Sequence, residues 1–241
     1  MKEVVGTLGF IALCHSVIVE PSGGLSASSP DELALVEGVR ELGFKFVSRD
    51  KDDNIEIEVL GKKKIYKVLH FIEFNSDRKR MSVIITDPNN EVTLLCKGAD
   101  SIIESLLTKE AQTSEKLVET KAAIERWAAT GLRTLMLASK TIDQSYYLDW
   151  DERLEQALEI MTEEKEAKLD ELYNEIEREF DLVGSTAIED KLQDECKETI
   201  EAIRTAEIKL WVLTGDKIET AINIGYQVGV VDQDMQLYRN R

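Results

Sequence analysis

At residue 182 the rhythm of the sequence changes, and the change limits what the chain can fold into. Leu182–Ala187 is strand-like and Leu192–Ala206 has helical spacing. Ile208–Leu213 is an apolar run broken only by Lys209, and a helix resumes at Lys217. Two strands joined by a helix lie parallel, and the crossover is right-handed. The second run ends in Thr214-Gly215-Asp216, so these residues are predicted at the carboxyl end of a parallel strand and at a helix N-terminus. Free backbone N–H groups and the helix dipole favour an anionic phosphate there.

Residues 1–181 show no such alternation and are expected to form a separate domain from 182–241. Gly6–Val19 reads as a buried helix and Glu20–Ser28, with Pro21 and Gly23-Gly24, as a loop. Ser29-Pro30-Asp31-Glu32 has the form of a capping box with proline at the first helical position, which predicts that Ser29 and Glu32 bond reciprocally. Leu35, Val36, Val39 and Leu42 share a helical face, and Gly43 is the stop. Strands are expected over Phe44–Phe74. Met81–Thr86 and Val92–Lys97 flank a turn at Asp87-Pro88-Asn89-Asn90-Glu91, which predicts a hairpin. Asp100 or Ser101 is positioned to cap a short helix to Leu107, and a further helix is expected through Val118–Ala129.

The formal charge, 30 − 47 = −17, repels phosphate backbones and argues against nucleic-acid binding. From Asp143 to Asp181 there are 15 acids and 4 bases, so −11 of that charge lies in one stretch. Its apolar residues recur at helical spacing (Trp150, Leu154, Ala157, Leu158, Met161, then Leu169, Leu172, Tyr173, Ile176, Phe180), which predicts an amphipathic surface hairpin with a solvated acidic face. Cys14, Cys96 and Cys196 are scattered and form no metal or disulfide pattern. His15 and His70 have no partner pattern and are expected to be structural. The apolar run Leu8–Val19 is too short to span a bilayer, so a soluble, cytosolic piece is expected.

No G-x-x-x-x-G-K-[ST] or G-x-G-x-x-G run occurs, so neither a P-loop nor a dinucleotide fold is supported. Six other segments stand in order: Ser28-Ser29-Pro30-Asp31-Glu32; Glu73 to Ser82, reading Glu-Phe-Asn-Ser-Asp-Arg-Lys-Arg-Met-Ser; Cys96-Lys97-Gly98-Ala99-Asp100; Gly131-Leu132-Arg133-Thr134-Leu135; Ala187 to Gln193, reading Ala-Ile-Glu-Asp-Lys-Leu-Gln; and Leu213-Thr214-Gly215-Asp216-Lys217. Together they resemble the phospholipid-flippase subfamily of P-type ATPases, over nearly the whole chain. Cation pumps of the same superfamily are similar at Lys-Gly-Ala and Thr-Gly-Asp, but usually carry a proline-containing motif where this chain has Asp190-Lys191-Leu192-Gln193.

The resemblance implies an α+β nucleotide-binding domain over 1–181, an antiparallel sheet with flanking helices. It implies an incomplete α/β, Rossmann-like phosphorylation domain of haloacid-dehalogenase type over 182–241. It implies ATP, with Mg2+, as ligand. Phe74 would stack on adenine with Ser76 beside it, Lys97 would meet the purine or phosphates, and Arg133 would face phosphate. Glu32 would lie at the adenine end, and Thr214, Gly215 and Asp216 beside the γ-phosphate. The family's phosphorylated Asp-Lys-Thr-Gly-Thr and its later Gly-Asp-Gly are not in these residues. The chain is therefore expected to be catalytically inactive alone, as a cytosolic domain of an integral membrane protein. Its partners would be the parent's transmembrane, actuator and remaining phosphorylation domains, with phospholipid met only through the membrane part. A non-catalytic interaction protein retaining the fold, or the equivalent domain of a cation pump, are the alternatives. In the family fold the phosphorylated strand lies beside the strand ending at Thr214. Without it, residues 182–231 are expected to open at lower free energy than the domain before them.

Overall fold

The computed structural model describes residues 2–87, 89–189, 193–215, 218–232 and 234–238. The chain divides into two compact units, 1–118 with 135–186, and 119–134 with 187–241.

The first unit begins with α1 (Lys2–Ile11). The expected helix to Val19 stops early, and His15 shows why. Its ring folds back, with Nε2 at 3.0 Å from the Ala12 carbonyl and Nδ1 accepting the Val17 amide at 3.1 Å, so the backbone leaves the helical path. The β-branched pair that follows forms β1 (Ile18–Val19), antiparallel to β2 (Leu25–Ser26) within the expected loop. In α2 (Pro30–Glu41) Ser29 is the N-cap and accepts from the Glu32 amide, and Gly43 has the positive φ of a helix stop. Val36 and Val39 are buried, whereas Leu42 is exposed.

Seven strands follow in one sheet, ordered as they occur in the chain: β3 (Phe44–Arg49), β4 (Asn54–Val59), β5 (Lys62–Asn75), β6 (Arg80–Thr86), β7 (Val92–Gly98), β8 (Arg133–Ile142) and β9 (Asp181–Ile188). Pairing from β3 through β8 is antiparallel. Local chemistry sets the turns. Asp50 and Asp87 each accept two backbone N–H bonds at 2.9 Å to close their loops. β5 carries two irregularities, between Val68 and His70 and between Ile72 and Asn75, which bend its end away from the ladder.

β6 and β7 are buried on both faces. Met81, Val83, Ile85 and Leu95 join Phe10, Leu13, Val36 and Phe44 in a core on one side. The alternate residues Ser82, Ile84, Leu94 and Cys96 point to the opposite face and are also fully buried. Between β7 and β8 lie α3 (Asp100–Leu106), α4 (Lys109–Gln112) and α5 (Glu115–Ala129); the N-cap of α3 is Ala99, and Asp100 is its first residue. Between β8 and β9 the acidic stretch forms the expected helical hairpin, α6 (Gln144–Leu158) and α7 (Glu164–Ile176). Trp150 is fully buried and its indole N–H donates to the Leu172 carbonyl at 3.0 Å. Arg153 bridges to Glu175 at 2.6 Å. Met161 falls in the connection and is exposed, against its place in the expected stripe.

The second unit contains most of α5 together with α8 (Cys196–Thr205) and α9 (Ile218–Gln227). Arg204 binds the Gly229 carbonyl and Asp232 at 2.6 and 2.8 Å. The parallel pair expected of Leu182–Ala187 and Ile208–Leu213 is not formed among the described residues. β9 takes its ladder from β8, and 208–213 has no strand beside it, so an apolar, strand-like sequence stays irregular with Trp211 and Leu213 exposed. A strand is a pairing, and apolar composition cannot supply the partner.

Candidate functional site

Lys97 is the buried cation around which a site is built. It is the penultimate residue of β7, and Gly98 after it pairs with Arg80 of β6. A Cβ at Gly98 would come within 2.5 Å of the Lys79 carbonyl oxygen and 2.7 Å of the Arg80 Cβ, so only glycine lets these strands close. This clamps the lysine stem. Its ammonium donates to Glu32 Oε1 at 2.6 Å and to the Cys14 carbonyl at 2.8 Å. Both charged side chains are buried, which excludes a solvated hairpin-end lysine.

Glu32 does not reach back to its cap. Oε2 accepts from the Ser16 amide at 3.0 Å and from the Ser16 hydroxyl, and Oε1 takes Lys97. The capping box is therefore half realised: Ser29 caps, while the longer carboxylate finds the stronger, charge-assisted partner. Burial pushes the Glu32 carboxyl upward, but the Lys97 ammonium and the Ser16 hydrogen bonds outweigh it and hold it below the usual carboxylate range.

A cavity of about 540 Å³ opens beside this pair, with Ser29, Glu32, Phe71, Phe74, Lys97 and Gly98 among its walls. Phe74, at the bent end of β5, is 64% exposed. A large aromatic held out at the wall of a half-polar cleft offers a free π-face beside a fixed cation. Such a cleft can take a planar, apolar ring with an anionic appendage. Ser76 is exposed in the turn beyond Phe74 and is not in the cavity wall. A second cavity, of about 430 Å³, is walled by Phe10, Leu13, Ile57 and Leu95 and holds none of the sequence-predicted residues.

Three of the eight sequence-predicted residues thus meet in one cleft: Glu32, Phe74 and Lys97. Arg133 opens β8 and Thr214 and Gly215 lie in irregular backbone, all within the second unit. Asp216 lies outside the described residues. The opposite face of the sheet holds a buried cluster to which the sequence assigned no role. Arg78, Arg80 and Ser82 converge on Glu177, which is fully buried. Arg78, in the turn before β6, and Arg80, its first residue, were the legible half of that cluster.

His15 is structural, as expected. It is buried against Phe46 with ring centroids 4.5 Å apart. Because Nδ1 accepts the Val17 amide, Nε2 carries the proton donated to Ala12. Burial, with the nearby Lys97 ammonium, lowers its pKa to about 4 from an ordinary 6.5. A depressed folded pKa means that stability is complete above pH 6.5 and is lost as pH falls toward 4. Between pH 8 and pH 5 this group alone should remove about 2 kcal/mol. Urea unfolding is expected to show that slope in the native chain and a flatter one in His15→Gln over the same window. Equal slopes would count against a neutral buried imidazole. Cys14 lies beside it; burial raises its thiol to about 12, so it is inert at neutral pH.

Comparison with known proteins adds the family. The model of the P-type ATPase cytoplasmic domain N matches residues 3–195. The chain is 44% identical over 235 residues to the phospholipid-transporting ATPase DNF1 of Chaetomium thermophilum, covering 95% of this chain and 15% of that protein. It is 45% identical over 239 residues to DNF2 of Saccharomyces cerevisiae, covering 94% and 15%. Against the human phospholipid-transporting ATPase IC it is 44% identical over 227 residues, covering 93% and 18%. The chain therefore spans less than a fifth of the length of these relatives. Among the described residues no helix is long and apolar enough to cross a membrane. With an antiparallel sheet, flanking helices and a cleft at the Lys97-Gly98 strand end, the chain belongs to the P-type ATPase cytoplasmic domain N family.

Proposed function

We propose that the cleft between α2, β5 and β7 binds ATP, and that the chain serves as the nucleotide-presenting part of a phospholipid-transporting ATPase. The observation that carries this reading is Phe74, held exposed at the wall of a cleft whose floor bears the buried Lys97. Adenine stacks on Phe74, and Lys97 faces the nucleotide. Two of the three N–H donors of its ammonium are committed to Glu32 and Cys14, which leaves one for the ligand. Arg133, Ser76 and the Thr214-Gly215-Asp216 segment complete the nucleotide's surroundings in the whole protein, whose actuator, membrane and remaining phosphorylation parts are the partners. The γ-phosphate passes to an aspartate outside these residues, and the resulting aspartyl phosphate drives lipid movement. Here the protein's contribution is positioning and charge neutralisation.

Mg2+ is proposed to arrive with the triphosphate. Among the described residues no group of three or more His, Cys, Asp or Glu side chains is placed to hold a metal ion. Of the three carboxylates at the cleft, Asp31, Glu32 and Glu73, the buried Glu32 is already committed to Lys97 and Ser16.

A titration tests the reading. The chain is expected to bind ATP with Kd on the order of 0.1–1 mM, or about −4 to −5.5 kcal/mol. Phe74→Ala should weaken it at least about fivefold, in line with the ~1–3 kcal/mol of a base–aromatic stack. Because Phe74 is largely exposed, that variant should stay folded. An unchanged affinity in folded Phe74→Ala would overturn the assignment.

A further inference from the structure

We propose that Glu177 is a positioning residue for this cleft: its buried carboxylate holds both ends of the turn that presents Phe74. The inference rests on the reading of the cleft as an ATP site. Glu177 directly follows α7 and is fully buried. Its Oε1 accepts from Arg78 Nη2 and the Ser82 hydroxyl, each at 2.5 Å. Its Oε2 accepts from Arg78 Nη2 and Arg80 Nε, each at 2.7 Å. The remaining Arg80 nitrogens bind Asn174 Oδ1 at 2.6 Å and the Arg78 carbonyl at 3.2 Å. Arg78 lies over the Tyr173 ring, 5.3 Å from its centroid.

The link to the cleft is the backbone of Glu73 and Phe74. The β5–β6 register passes from Ile72 opposite Ser82 directly to Asn75 opposite Arg80, so Glu73 and Phe74 stand in an irregularity where the ladder does not fix them. Arg78 Nη1 donates to the Glu73 carbonyl at 3.2 Å, one residue before Phe74. The turn itself is tight, with the Lys79 amide on the Asn75 carbonyl at 2.7 Å and Lys79 at φ 51°. One carboxylate therefore fixes the Arg78 that grips the near side of Phe74 and the Arg80 that closes the far side of the turn. Without it, two guanidiniums two residues apart share a buried space with no counter-charge, and the turn is pushed open. The acidic helical hairpin then has a task at the cleft although none of its residues is in the cavity wall.

The test compares ATP with inorganic triphosphate, which lacks the ring. Both are titrated by NMR into the chain, Glu177→Gln, Phe74→Ala and the double variant, with urea unfolding measured alongside. Glu177→Gln is expected to weaken ATP about tenfold and triphosphate less than about twofold, and to add less than about twofold on top of Phe74→Ala. A merely structural glutamate would lower the unfolding midpoint and leave the folded protein's affinity unchanged. That result, or losses that multiply in the double variant, overturns the proposal. Should Glu177→Gln not fold, Asn174→Ala, which removes only one Arg80 bond, is expected to show the same ring-selective loss at about two- to threefold. If the native chain binds no ATP, the site assignment itself fails, and this proposal with it. If it binds ATP and loses it on Phe74→Ala alone, only the role of Glu177 is refuted.

Discussion

Lys97→Ala is expected to cost about 3–5 kcal/mol of folding stability, because it leaves the buried Glu32 carboxylate without its counter-ion. Glu32 and Lys97 are both less than a tenth exposed, so water in the adjoining cleft replaces the lost partner only in part. The Ser16 bonds survive, yet they cannot neutralise a charge. The loss should depend on pH in a defined direction. In the native chain Glu32 is held below its usual range, largely against burial, by Lys97. Once Lys97 is gone, only the Ser16 hydrogen bonds oppose burial and the carboxyl rises, so the variant takes up a proton at a pH where the native protein does not. Its deficit should therefore shrink as pH falls from 7 toward 5. Lys97→Met with Glu32→Gln removes both charges while keeping volume and an acceptor for Ser16, and should recover most of the loss. Urea unfolding of the three proteins at both pH values measures this. A single variant with stability within about 1 kcal/mol of native would show that the pair is solvated in solution.

Amides in Leu210–Leu213 are expected to exchange hydrogen at least about a thousandfold faster than those in Val83–Ile85. The central strand β6 is hydrogen-bonded to a neighbour on each edge, and Val83 and Ile84 are fully buried, so its amides open only with the whole domain. A stability of even ~5 kcal/mol corresponds to protection of more than about a thousandfold. The 208–213 run makes no ladder, and Trp211 and Leu213 face solvent. The apolar character that suggested a strand therefore offers no protection where it finds no partner. Mass-spectrometric exchange with peptides covering both runs decides the matter. Equal slow exchange would mean that the second run is paired in solution.

These two runs mark the boundary between what could be read along the chain and what could not. Ser29 as an N-cap, Gly43 as a helix stop, the hairpin closed by Asp87, and the helical stripes through Trp150 and Leu172 were all legible in the sequence. Each rests on groups within a few residues of one another, where backbone geometry and side-chain period leave few choices. The identity of the cleft residues was legible only through resemblance. Their arrangement was not: Lys97 finds Glu32 from 65 positions away, and Arg78 finds Glu177 from 99. Local rules even misdirected Glu32 toward its own cap and Ile208–Leu213 toward a strand. Caps, turns, periods and charge follow from neighbours along the chain. Which carboxylate meets which cation, and which apolar run gains a neighbour, depends on how the chain folds back on itself. A buried charge and an unpaired strand are both satisfied only by a partner brought close by the fold, and no spacing along the chain encodes that partner's place.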